Sequence, residues 1–144
     1  MKTILIIILI VVVLTIIFII QKKARRNKLL ELTKQRKRFT KTDFIKYFEL
    51  KGFREDNISF IYDEIFKFIE LKDFSLMPND NLHEICGFID LDDVEFVGLI
   101  CSKIGINIPS QSSFDILNEK YINFTPEYLF DLIKDNKYKP VANM

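Results

Sequence analysis

One feature constrains this chain before any other: an unbroken apolar run at its start. From Ile4 to Ile20 every residue except Thr15 is apolar. As a helix at about 1.5 Å per residue, the run spans roughly 26 Å, just short of the ~30 Å hydrocarbon core of a bilayer. Each Leu, Ile, Val or Phe contributes up to about −0.6 kcal/mol near the bilayer centre, so insertion is favoured by on the order of −5 kcal/mol or more. In water this β-branched segment is a poor helix and an aggregation hazard. In lipid the backbone must satisfy its own polar groups, and a helix is the only single-segment solution. Residues 1–20 are therefore expected to form a transmembrane helix. A cleaved signal peptide needs a shorter core and a small-residue cleavage site. Here Gln21-Lys22-Lys23 stands where that site should be. A pilin-like start would carry an acid inside the run, and none is present.

The formal net charge of +1 hides a sharp segregation. Residues 21–42 hold ten basic side chains and one acid, Glu31, giving +9, whereas residues 43–144 carry −9. The positive-inside bias predicts that the basic neck lies in the cytoplasm, with the short amino terminus outside and residues 21–144 cytoplasmic. A reducing compartment suits the two cysteines, too few for a disulfide framework. The neck is rich in good helix formers, so the membrane helix is expected to run on for several turns. Lys22, Lys23, Arg25, Arg26 and Lys28 are expected to lie against anionic headgroups, at about 1 kcal/mol per basic residue near the surface. The run Lys34 to Arg38 (KQRKR) also suits nucleic acid through counterion release. No recognition motif accompanies it and the acidic body would repel phosphate, so no nucleic-acid partner is expected.

The body, residues 43–135, reads as helical throughout. Phe44, Tyr47 and Phe48 share one helical face, with Thr40 or Thr42 as N-cap and Gly52 as a stop, predicting a helix over 43–51. Ile58, Ile61, Tyr62, Ile65, Phe68 and Ile69 predict a stronger one over 57–71, capped by Asp56 or Asn57. Phe60 and Phe66 fall off that stripe and are candidates to cover the helix at 43–51. Pro78, Asn79-Asp80-Asn81 and Gly87 mark a long loop over 72–90. Asp90 is then a candidate N-cap, and the acids that follow suit a helix start. Leu91, Val94, Val97, Cys101 and Ile104 predict a helix over 91–104, stopped by Gly105. A short turn over 114–120 and a helix over 126–135, with Thr125 as cap and Pro126 at its first position, complete the body. Residues 136–144 read as a flexible tail. No stretch alternates like a strand, so the expected class is all-α.

The order helix, long loop, acidic-tipped helix, short turn, helix over 57–135 resembles the acyl carrier protein family. The likeness extends to motifs. Carrier proteins read roughly G-x-D-S-L-D-x-V-E-[LF]-V, then I-x-I-P. This chain has Gly87-Phe88-Ile89-Asp90-Leu91-Asp92-Asp93-Val94-Glu95-Phe96-Val97, then Ile106-Asn107-Ile108-Pro109. Asp80-Asn81-Leu82 is similar to the preceding carrier loop. The resemblance covers about 80 of 144 residues and implies a four-helix bundle, here with one extra helix at 43–51. One departure outweighs the matches. The family attaches phosphopantetheine to a serine, and the matching position is Asp90, which cannot form that phosphodiester. Asp90 still has the chemistry to cap the helix, worth about 1 kcal/mol over Ala. The chain thus resembles a degenerate carrier, similar to small bacterial acyl-carrier-like proteins with a D-D-x-E-F pattern, and a bacterial inner membrane is the expected location.

Other chemistry is thinly represented. Asp90, Asp92, Asp93 and Glu95 lack the spacing and central glycine of an EF-hand. His83-x-x-Cys86 is half a zinc motif without a second half. No Cys–His nucleophile arrangement is indicated. No metal and no cofactor are expected, and the chain is not read as an enzyme. The expected function is a single-pass, membrane-anchored interaction module. Asp92, Asp93 and Glu95, by resemblance to the acids with which carriers meet basic enzyme surfaces, are its candidate contacts to a protein with a basic surface. The alternatives are an active carrier for membrane-associated lipid or fatty-acyl synthesis, or a small membrane effector. The absent serine weighs against the first, and the lack of a polar face on the span weighs against a pore.

Overall fold

A computed structural model describes residues 2–134, with the side chains of all of these except Lys2, Asp90 and Leu91. Among the described residues the structure is all-helical, with seven helices: α1 (Lys2–Gln35), α2 (Lys41–Glu49), α3 (Glu55–Phe66), α4 (Leu82–Cys86), α5 (Asp90–Ile104), α6 (Gln111–Lys120) and α7 (Pro126–Lys134). The expected tail at 136–144 lies outside the described residues.

α1 is one helix of 34 residues that runs from the apolar segment into the basic neck without a break. It is long and apolar enough to cross a membrane. Its residues 3–24 are all exposed, so the apolar run is not buried by any of the described residues. The embedded core helix of a soluble domain would be mostly buried; this one is bare on every side, as a helix solvated by lipid is.

The expected division at residue 42 is not where the body begins. Leu29 is 1% exposed and belongs to the main hydrophobic core, with Leu32 and Phe39 packed beside it. The neck turns a face toward the body because Arg25, Leu29, Leu32 and Arg36 recur every three or four residues along α1. At the end of this face, Arg36 grips Asp80 through two contacts, Nη2 to Oδ1 at 2.6 Å and Nη1 to Oδ2 at 2.9 Å. Asp80 is buried and also accepts the Met77 backbone N–H at 2.8 Å. The loop 72–81 is thereby tied to α1, and the Ser75 hydroxyl accepts the Phe39 N–H at 3.2 Å.

α2 is not an outlying addition to the bundle. Phe44 and Phe48 are fully buried, and Phe48 stacks on Phe130 of α7 at 3.8 Å between ring centroids. Tyr62 of α3 meets Phe44 of α2 edge-on at 5.0 Å, with Phe66 stacked behind it at 4.9 Å, and Phe60 is partly buried against the same core. Thr40 caps α2 in a capping box with Asp43: Asp43 N–H donates to the Thr40 hydroxyl and Thr40 N–H to the Asp43 carboxylate. α3 starts at Glu55 after Arg54, ahead of both expected caps, and ends at Phe66. Phe68 and Ile69 belong to the turns that follow it, although Ile69 remains buried. The expected loop 72–90 contains α4, capped by Asn81, whose side chain accepts the His83 N–H at 3.1 Å, and closed by left-handed Gly87. Thr125 caps α7 through the Tyr128 N–H, and Gly105 closes α5, both as the sequence indicates.

Candidate functional site

The start of α5 is where the carrier resemblance locates its chemistry. Asp90 is the first helical residue, and the N-cap position belongs to Ile89, whose backbone is extended. The expected N-cap role of Asp90 is therefore corrected by one position. Ile89 has no side-chain acceptor. Asp92 compensates from inside the helix, its carboxylate accepting the Ile89 N–H at 2.9 Å. A short acid three residues past the cap reaches back to the orphan donor, the second half of a capping box. The expected apolar face also shifts. Val94 is 55% exposed, whereas Phe96, Val97, Ile100 and Cys101 are buried. Val97, Cys101 and Ile104 of the expected stripe lie on this face, and Phe96 and Ile100, which the heptad-like spacing left out, complete its i, i+1, i+4 pattern.

This rotation divides the acids. Asp92 and Glu95, three residues apart, share a face beside a hollow of about 190 Å³ formed by Phe68, Phe88 and Phe96. Glu95 is exposed there. Asp93 turns to the other side, where its Oδ2 lies 2.5 Å from His83 Nε2 and its side chain is 21% exposed. The three acids therefore do not form one patch. His83 and Asp93 stand in the wall of a larger cleft of about 490 Å³ between α5, α6 and the start of α7, with Val94, Ile108, Phe114 and Ile122 among its apolar lining. The expected helix at 114–120 begins three residues earlier, and it supplies one side of this cleft.

The basic residues assigned to the membrane surface also separate into two groups. Lys28 pairs with Glu84 at 2.7 Å, Lys22 lies 3.8 Å from Glu70, and Arg25 Nη1 donates to the Cys86 carbonyl at 3.4 Å. Lys23 and Arg26 are exposed. The acids that receive the neck are thus Glu70, Asp80, Glu84 and, at its end, Asp63, which pairs with Lys41 at 2.7 Å, and not Asp92, Asp93 or Glu95. Sequence reading missed Glu70, Asp80 and Glu84 because they lie in the segment read as loop and its approaches, where no periodicity marks a facing surface.

No described cysteine is poised for nucleophilic chemistry. Burial pushes the Cys86 thiol up to about 12 and that of Cys101 up to about 11, which holds both as neutral thiols. Between α2 and α7, Lys51 and Tyr47 both donate to Glu127, Lys51 at 2.6 Å. Burial opposes ionisation of Glu127, but these two hydrogen bonds outweigh it and lower its pKa below the ordinary carboxylate range. The cluster joins α2 to α7 over the Phe48–Phe130 stack, a structural arrangement. Comparison with protein-family models, curated proteins and solved structures gave no match.

Proposed function

We propose that this chain is a non-enzymatic, single-pass membrane protein whose cytoplasmic body is an acyl-carrier-like bundle that binds another protein and carries no phosphopantetheine. The start of α5 is the observation that supports this most. The helix begins at Asp90, in register with the family's serine, so its geometry persists without a hydroxyl. Asp92 and Glu95 face outward together just beyond it. Such a face suits a partner with a basic surface, and rim charges of this kind act mainly on the rate of encounter. Asp93 is removed from the contact set, since it is engaged with His83.

Two measurements test the reading. Incubated with coenzyme A and a promiscuous phosphopantetheinyl transferase, the protein should gain no mass; a gain would favour an active carrier. A photoreactive residue replacing Glu95 should crosslink a protein in the native membrane. Asp92→Asn in the same chain should weaken that capture, whereas Asp93→Asn should chiefly lower stability. Capture insensitive to Asp92→Asn and to salt would remove this face from consideration.

A further inference from the structure

The contacts between α1 and the body ascend the helix in register. Arg36 holds Asp80, Lys28 holds Glu84, and Arg25 reaches the Cys86 carbonyl. Lys22, nearest the apolar half, approaches Glu70. Residues 80–87 therefore climb toward the apolar half of α1, and the turn after α3 meets them at the top. At that top edge Gly87 has φ +77°, and the Arg25 guanidinium occupies the space a Cβ would take, its Nη1 only 2.0 Å from that position. The edge is thus seated against α1 at Gly87.

This edge exposes two large apolar side chains. Ile89 is 72% exposed and Phe68 is 43% exposed. Phe68 stands edge-on against Phe88, with ring centroids 4.9 Å apart. Arg25 lies five residues beyond Ile20, about 7–8 Å along the helix axis. The headgroup layer extends roughly 5–7 Å beyond the hydrocarbon on each side. Lys22, two residues beyond Ile20 and about 3 Å out, lies within that layer and Arg25 at its outer boundary, so a body fastened at both has its upper edge against the outer part of the headgroup layer.

We infer that the edge bearing Phe68 and Ile89 is a second lipid-contact site, resting in the headgroup layer of the same bilayer that α1 crosses. The inference rests on the reading of α1 as a membrane span. The occupant is lipid because the docked helix fixes the edge at the height of the headgroups. Lys23 and Arg26 are exposed on α1 at the same height and suit anionic headgroups. Asp92 and Glu95, beside Phe88 and Phe96, oppose deeper insertion, since an acid is costly in hydrocarbon. The edge therefore lies on the surface without penetrating it, and it holds the body in one posture under the membrane.

Leu50 supplies an internal reference. It is 90% exposed and equally apolar, but the contacts beside it lead to the Arg36 end of α1. Its neighbour Lys51 pairs with Glu127, the Glu127 N–H donates to the Pro78 carbonyl, and Asp80 nearby holds Arg36. Arg36 is about 16 Å further along α1 than Arg25.

The test uses the full chain in vesicles of phosphatidylethanolamine and phosphatidylglycerol. Ile89→Cys, Leu50→Cys and Thr15→Cys variants each carry a polarity-sensitive fluorophore, with the labelled natural chain as the blank for its two buried cysteines. Quenching is read with lipids brominated near the headgroup end of their acyl chains. The Ile89→Cys label should be quenched several-fold more than the Leu50→Cys label, and the Thr15→Cys label should be quenched in every preparation. Equal quenching at Ile89→Cys and Leu50→Cys, with Thr15→Cys quenched, overturns the edge contact alone. An unquenched Thr15→Cys label overturns the span, and the edge contact with it.

Discussion

The two halves of α1 share one backbone and differ in everything around it. From Ile4 to Ile20 the side chains are apolar except Thr15, and all are exposed among the described residues. From Lys22 to Arg36 they are mostly charged, yet this half holds a fully buried leucine and a buried ion pair with the body. Hydrophobicity alone would assign the first half to an interior and the second to solvent. The protein does the reverse, because what fixes a helix is the surface it faces. The apolar half has no complementary surface among the described residues and is long and apolar enough to cross a membrane, while the basic half meets a body of opposite charge with one apolar stripe, Leu29 and Leu32, at the contact.

The largest expected effect separates these halves directly. Leu29→Ala removes a core side chain and should destabilise the body by about 2–5 kcal/mol, whereas Leu14→Ala should leave it unchanged. Chemical unfolding of the detergent-solubilised chain, followed by tyrosine fluorescence, measures both. A Leu29→Ala effect no larger than that of Leu14→Ala would detach the neck from the fold. Next comes the buried pair. Asp80→Asn leaves Arg36 without its charge partner, and unfolding should cost about 3 kcal/mol less. The expected value sits at the low end for such pairs because the Arg36 side chain is 21% exposed.

Gly87→Ala should lower stability by about 1–2 kcal/mol from the left-handed backbone alone, with a further loss from displacing Arg25. In an Arg25→Ala background the second contribution should vanish, and a double-mutant cycle on the unfolding midpoint isolates it. The smallest difference is between two lysines on opposite sides of α1. Lys28→Ala breaks a half-exposed pair with Glu84 and should cost at most about 0.5–1 kcal/mol, and Lys23→Ala should cost nothing measurable in detergent. Indistinguishable melting of the two variants would place the Lys28 contact among surface pairs of no consequence.

Much of this architecture is legible in the sequence, for reasons that can be assigned. The apolar run, the Thr40 and Thr125 caps and the Gly105 stop are local signals, each read within one turn of the chain, and each appears in the structure. α4 carried the same signals, an Asn81 cap, Leu82, Ile85 and Cys86 on one face, and Gly87. Its five residues are too short for periodicity to register against the surrounding turn residues. The candidate site was readable only in part. Asp92 and Glu95 share a face by spacing alone, but the diversion of Asp93 depends on His83, ten residues away across a turn. The docking of the neck was the least legible. Its positive charge and helix-forming composition are visible, but which acids receive it is decided by tertiary packing around Leu29. No local pattern distinguishes Glu70, Asp80 and Glu84 from the other acids of the body.

Amide hydrogen exchange of the full chain in detergent addresses the docking of the neck most directly, read over residues 26–35 against α3 and α7. These residues lie beyond the span, so a detergent micelle around residues 3–20 does not by itself protect them. If the neck is part of the folded body, its amides should exchange on the slow timescale of α3 and α7 and should be released with them as denaturant rises. Exchange over 26–35 that is fast while α3 and α7 stay protected would show a neck that frays independently, and would contradict the docked helix.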